Sequence, residues 1–103
     1  SEKGHPPALG PLASRLEDDE PELRRAAVEA MAQVAEEGDS RLVPLLLPRL
    51  GDRDREVRLA ALQALTHIAT RGDEEVISVV SLRLEDEVIY VRRAALEVLT
   101  QLA

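Results

Sequence analysis

The chain repeats on itself every 34 residues, and no other property of the sequence constrains its fold as tightly. Three segments align without a gap: LASRLEDDEPELRRAAVEAM at 12–31, LLPRLGDRDREVRLAALQAL at 46–65 and VSLRLEDEVIYVRRAALEVL at 80–99. Six columns hold one residue type in every copy: Arg15, Arg49 and Arg83; Leu16, Leu50 and Leu84; Asp18, Asp52 and Asp86; Arg24, Arg58 and Arg92; Ala26, Ala60 and Ala94; Ala27, Ala61 and Ala95. Glycine keeps the same period at Gly4, Gly38 and Gly72. The copies span about 4–37, 38–71 and 72–103, so a single domain of 103 residues is nearly all repeat. Self-similarity at this spacing marks architectures that stack one supersecondary unit on itself.

Each unit reads as two helices. In the second copy, Gly38 suits the residue just past a helix end, and Asp39 or Ser40 can cap the next helix. This first helix of the unit runs through LVPLLLPRL to Leu50 and is almost wholly apolar, so it needs cover on more than one side. Gly51 and Asp52 make the turn, and Asp54 stands as N-cap of the second helix. Val57, Ala61, Ala64, Leu65 and Ile68 lie beyond it at helical spacing as one apolar stripe. In the first copy Pro21 falls at the first helical position, where its missing N–H costs nothing. Nothing alternates with the period of two that a half-buried strand requires. A two-helix unit this small cannot bury its own stripe, whereas stacked neighbours can. The expected fold is all-α: a right-handed α-solenoid of three two-helix repeats, six helices in all. The first helices lie outside and the second helices line the inner face.

Composition excludes several functions. With no cysteine there is no disulfide, no thiolate metal site and no cysteine nucleophile. That absence fits a reducing compartment, and the cytoplasm is the expected location. No apolar run approaches membrane-spanning length, and SEKGHPPALG lacks the basic-then-apolar order of a signal peptide. A net charge of −7 repels a phosphate backbone, and a single aromatic residue offers bases no stacking platform. Neither nucleic acid nor membrane is therefore an expected partner.

The repeat resembles the HEAT repeats, including the short kind found in phycobilin-lyase-like proteins. The shared pattern is an apolar helix with a proline, then Leu-x-Asp, then Val-Arg-x-x-Ala-x-x-Ala-Leu. The second copy carries it at Pro44, Leu50, Asp52, Val57, Arg58, Ala61, Ala64 and Leu65. The third copy carries it at Asp86, Val91, Arg92, Ala95 and Leu99. The first departs from it, with Leu23 and Met31 at apolar positions and Gly10-Pro11 interrupting its first helix. The Trp, Leu-Gly, Tyr and Phe positions of tetratricopeptide repeats are missing, as is the Thr-Pro-Leu-His signature of ankyrin repeats. The resemblance implies a non-catalytic scaffold that binds another protein or peptide along its concave face. It also implies a structural ladder between repeats, formed by Asp18, Asp52 and Asp86 with Arg24, Arg58 and Arg92.

The candidate binding residues are those opposite the stripe on the second helices. They are Glu22, Arg25, Glu29, Gln33 and Glu36 in the first copy, Glu56, Leu59, Gln63, His67 and Thr70 in the second, and Tyr90, Arg93, Glu97 and Gln101 in the third. Stacking sets equivalent positions about 10 Å apart, giving a mildly acidic ridge with Leu59 and Tyr90 as its apolar members. His5 and His67 have no partner at metal-ligand spacing. There is no phosphate loop or nucleophile elbow, and neither cofactor nor catalytic set is expected. Arg71-Gly72-Asp73 spells an adhesion tripeptide, but Glu37-Gly38-Asp39 in the same columns marks Gly-Asp as the inter-repeat turn.

Three readings of function are open. The first is a protein-binding scaffold module, cut from a longer array because both ends fall in phase with the repeat and lack a polar cap. The second, implied by the resemblance alone, is an accessory or lyase-like subunit acting on a chromophore-bearing protein. The third is a structural segment that self-associates end to end. Val88-Ile89-Tyr90 is the one break in the pattern, since valine is a poor N-cap by about 1 kcal/mol. The third second-helix must lose stability there or start early, at Asp86. The trio is expected to cover the C-terminal end, meet a further repeat or anchor a partner.

Overall fold

The computed structural model describes residues 9–35 and 41–103. The expectations placed on Gly4, His5, Glu36, Glu37, Gly38, Asp39 and Ser40 lie outside those residues. Among the described residues the chain is helical with no strand. Helix α1 (Leu9–Arg15) precedes α2 (Pro21–Val34), and α3 (Val43–Leu46) tightens into a 3-10 turn over Leu47–Gly51 before α4 (Arg55–Ile68). Helix α5 (Glu74–Ser81) likewise passes through a 3-10 turn over Leu82–Glu85 into α6 (Ile89–Leu102). The long helices α2, α4 and α6 are each 14 residues and begin in the same column of the repeat. Helix α4 packs against both α2 and α6, and the shortest dimension of the molecule, 17 Å, accommodates two helix layers.

The first helices depart from the sequence reading. A single helix to Leu50 was expected in the second repeat, but α-helix covers only four residues there. Pro44 sits in its first turn, where proline is tolerated. The tightening beyond it does not come from Pro48, because the third repeat has Leu82 in that column and tightens in the same way. In every copy the turn aspartate donates its N–H three residues back to the arginine of its own repeat: Asp18 to Arg15, Asp52 to Arg49 and Asp86 to Arg83. This i to i−3 closure winds the chain tighter than an α-helix.

The stripe foreseen on α4 is the core: Val57, Ala61, Ala64, Leu65 and Ile68 are all buried. Ala61, Ala64, Leu65 and Ile68 join Val28, Met31, Leu46, Leu50, Val76, Val80, Val91 and Val98 in one continuous cluster. Each such side chain of valine size or larger contributes about 1.5–3 kcal/mol of transfer free energy. The alanine column Ala27, Ala61 and Ala95 is buried in all three repeats, and its small side chains let the long helices pack closely. Gly72, at φ +79°, makes the turn between the second and third repeats and donates its N–H to the Leu102 carbonyl at 2.8 Å. Asp73 then caps α5 by accepting from the Glu75 and Val76 amides.

The long helices differ from one another in how they start. Asp54 caps α4, accepting from Glu56 and Val57 N–H at 2.8 and 3.2 Å. Glu20, in the same column of α2, makes no side-chain cap. Nor does Val88, yet α6 does not start early at Asp86: it begins at Ile89, in phase with the other two. The start is held in phase by the turn aspartate, whose Oδ1 accepts the N–H two residues on in every copy: Glu20, Asp54 and Val88, each at 2.9 Å. Urea denaturation of Asp54→Ala should therefore show a loss of about 1 kcal/mol, while Glu20→Ala in the same column should leave the midpoint unmoved.

Candidate binding face and the joint beneath it

The long helices present two polar systems, one buried where repeats meet and one exposed along the ridge. The buried one starts with Arg24. Its Nε and Nη2 donate to Asp52 Oδ2 and Oδ1 at 2.8 and 2.9 Å, and its Nη1 donates to the carbonyls of Asp18 and Asp19 at 2.8 and 3.2 Å. Arg58 repeats the arrangement one unit later. It forks onto Asp86 at 2.8 and 3.1 Å and reaches the Asp52 and Arg53 carbonyls at 2.9 and 3.2 Å. The six-residue spacing within a repeat thus brings the guanidinium to the aspartate's main chain. Its carboxylate partner lies 28 residues on, in the next repeat. Arg92 donates to its own repeat's Asp86 carbonyl at 2.6 Å and has no carboxylate partner among the described residues. Asp18, at the other end, accepts from Arg15 and from the Glu20 amide but from no arginine of another repeat.

Arg24, Asp52, Arg58 and Asp86 are buried, which makes their mutual satisfaction decisive. Burial by itself would raise the Asp52 carboxyl. The Arg24 fork and the Asp54 amide outweigh it and hold the group below its ordinary 3.8. Asp86 is likewise lowered against burial, by the Val88 amide and the Arg58 fork. The Asp52 hydrogen bond holds the Arg24 guanidinium above its usual range, against desolvation. Among the described residues no buried side-chain nitrogen or oxygen lacks a partner.

One participant escapes a reading of the sequence. Arg49 donates to the Leu16 carbonyl of the preceding repeat at 2.7 Å and to Asp52 Oδ2 at 3.1 Å. Arg83 reaches Asp86 Oδ2 at 3.2 Å. The signal is the identity of this arginine column in all three copies, which by itself names no partner. Two open clefts of about 320 and 470 Å³ lie over the joints, lined by the turn residues, including Asp52 and Arg53 in both.

The exposed ridge holds the candidate binding residues. Glu22, Arg25, Glu29, Gln33, Gln63, His67, Thr70, Tyr90, Arg93, Glu97 and Gln101 are exposed, and Glu56 is half-buried. Leu59 is half-buried against the core rather than standing free on the ridge. The geometry draws one group together. Tyr90 Oη donates to Glu56 Oε2 at 2.9 Å, across 34 residues, and Arg25 Nη1 approaches Glu56 Oε1 at 3.9 Å. The bond to Glu56 raises the Tyr90 phenol above its usual range. Arg25 also faces Glu29 at 3.8 Å, and Arg93 faces Glu97 at 3.6 Å. His67 is exposed and joins none of these pairs. Tyr90 therefore turns back toward the second repeat, not over the C-terminal end, while Ile89 beside it is 70% exposed.

Residues 7–100 match the family model described as HEAT repeats. The chain belongs to the HEAT-repeat family. No curated protein matches it. Members of this family generally mediate protein–protein interaction or scaffolding. No helix among the described residues is long and apolar enough to cross a membrane.

The joint of this HEAT stack sets two expected outcomes. Asp52→Ala with Arg58→Ala opens both joints, leaving Arg24 buried without its carboxylate and Asp86 with Arg83 alone. Arg58→Ala with Asp86→Ala removes both halves of a single joint. Uncompensated buried charge costs about 3–5 kcal/mol per broken pair, so the first pair should lower Tm further than the second. Asp52 and Asp86 titrate lower when folded than unfolded, so the unfolded chain binds more protons as pH falls. Their stabilisation is present above the unfolded value and is lost as pH drops through the folded one. Urea midpoints followed downward from pH 4 should therefore fall, and Asp52→Asn should shrink that pH-dependent loss.

Proposed function

We propose that this HEAT module is a non-catalytic docking surface that holds a protein or peptide along the ridge of α2, α4 and α6. The observation that carries the reading is the Tyr90–Glu56–Arg25 group. It is built from three successive repeats and sits on an exposed face, so a segment laid across the stack meets it whole. Tyrosine is a common anchor at interfaces, and its hydroxyl is already oriented by Glu56, which lowers the ordering cost of binding. A shallow cleft of about 290 Å³ beside it is lined by Pro21, Glu22, Arg25, Asp54 and Glu56. Among the charged ridge residues named above, four carboxylates (Glu22, Glu29, Glu56 and Glu97) stand against two guanidiniums (Arg25 and Arg93). Both guanidiniums are engaged within the ridge, so the surface favours a partner with basic side chains flanking an apolar one.

Affinity capture with crosslinking tests this. Tyr90→Ala should weaken a captured partner by about 2 kcal/mol or more. Glu29→Lys with Glu97→Lys should reduce capture most at low salt. Glu74→Lys with Ser78→Lys, on exposed positions of α5, should leave capture unchanged. Capture that survives both ridge changes and is lost with the α5 pair would place the partner on the first-helix side.

A further inference from the structure

The turn edge of the stack carries a charge order that neither the joint nor the ridge uses. The two clefts over the joints are one cleft made twice: the nine residues lining the second stand 34 positions beyond the nine lining the first. Their lining positions repeat and their charges do not. Asp19, Arg53 and Glu87 share one column, and Glu17 and Glu85 accompany the outer two where Gly51 accompanies Arg53. All five charged residues are exposed. None of these side chains makes a hydrogen bond or ion pair among the described residues, and Arg53 gives the joint only its main-chain carbonyl, which accepts from Arg58.

Arg53 lines both clefts, so each has a pair of unneutralised carboxylates on one side and the same guanidinium on the other. An apolar column completes them: Pro48 lies in the first cleft and Leu82, 61% exposed, in the second. Arg53 and Pro48 have a repeat on each side and are exposed all the same. These columns are therefore open inside a stack and do not owe their exposure to either end of the chain.

The spacing selects an occupant. Equivalent positions on neighbouring repeats stand about 10 Å apart, so the acidic pairs are roughly 20 Å apart with the guanidinium midway. A β-strand points successive side chains to opposite faces, so its positions three apart cannot share this edge. A polyproline II helix turns once in three residues with a rise of about 3.1 Å each. Its positions i, i+3 and i+6 share a face at steps of about 9 Å. An α-helix reaches the same three points only over about fifteen residues.

We propose that the turn edge docks an extended, polyproline-type segment of a protein partner with the order basic-x-x-acidic-x-x-basic. One basic head group meets Glu17 and Asp19 in the first cleft, and the other meets Glu85 and Glu87 in the second. Their aliphatic stems lie on Pro48 and Leu82, and the central carboxylate pairs with Arg53. No ridge residue takes part, so this surface does not rest on the ridge reading.

An NMR titration of the isotope-labelled full chain with the end-capped peptide Lys-Pro-Pro-Glu-Pro-Pro-Lys tests the proposal. The amides of Gly51, Arg53, Glu85 and Glu87 should shift, and those of the ridge should not. Lys-Pro-Glu-Pro-Lys, with the same net charge at the wrong spacing, and the charge-inverted Glu-Pro-Pro-Lys-Pro-Pro-Glu should each bind about fivefold or more weaker. Arg53→Glu, at an exposed position whose column already holds acids, should weaken the first peptide by about the same factor. The same variant should strengthen binding of Lys-Pro-Pro-Lys-Pro-Pro-Lys. Attraction by net charge alone would make Arg53→Glu strengthen both, and that result would overturn the proposal. So would no shift at millimolar peptide, shifts centred on the ridge, or tighter binding by a helical peptide with the same charges at i, i+7 and i+14.

Discussion

The structure depends on a single register relation: an arginine in one repeat forks onto an aspartate in the next. Arg24 and Arg58 each lie on a long helix, buried, with the partner carboxylate 28 residues ahead. Such a pair adds little net stability compared with well-packed apolar residues, because desolvating both charges offsets their attraction. Its consequence is positional. A repeat that slides or rotates out of phase strands a guanidinium and a carboxylate in an apolar interior, an arrangement several kcal/mol worse. Apolar contacts between helices tolerate such slippage far better. The joint therefore fixes where each repeat sits, and the alanine and leucine columns fill the space so defined.

The same aspartate does more than pair. Its Oδ1 accepts the amide two residues on, its main-chain N–H closes the 3-10 turn, and its carbonyl receives the long-helix arginine of its own repeat. One residue thus links the end of the first helix, the start of the second and the contact with the neighbouring repeat. That is why α6 starts in phase although Val88 cannot cap it. It is also why the ridge is regular: once three helices share a starting column, Tyr90 falls opposite Glu56, and Arg25, one turn beyond Glu22 in that column, comes within reach of Glu56. The exposed group on the ridge inherits its alignment from the buried one below it.

The two-helix unit, the stripe Val57, Ala61, Ala64, Leu65 and Ile68, the Asp54 cap and the Pro21 start were legible in the sequence, because each comes from local chemistry repeated at a fixed period. The 3-10 tightening was not, since it comes from hydrogen bonds at a turn and leaves no mark in hydrophobic spacing. Leu59 looked exposed from helical phase alone, but the neighbouring helices come close enough to half-cover it. The role of Arg49 was missed because its partners are a main-chain carbonyl in another repeat and an aspartate already given to Arg24. Tyr90 was expected on the exposed side of its helix and is exposed, but its hydroxyl bond to Glu56 depends on a side-chain direction that column position does not fix. The pattern of equal columns could show which residues recur, but not which repeat each one reaches.

The register relation is tested most directly by two double-mutant cycles on Arg58, read by urea denaturation. One pairs it with Asp86, whose carboxylate it forks onto. The other pairs it with Asp52, which offers it only a main-chain carbonyl. Coupling energies within such networks run to about 0.5–3 kcal/mol. The Arg58–Asp86 coupling should exceed the Arg58–Asp52 coupling by at least about 1 kcal/mol, given the bidentate contact. Equal couplings, or a larger one to Asp52, would mean that the arginine serves its own repeat and that the stack is held in register by something else.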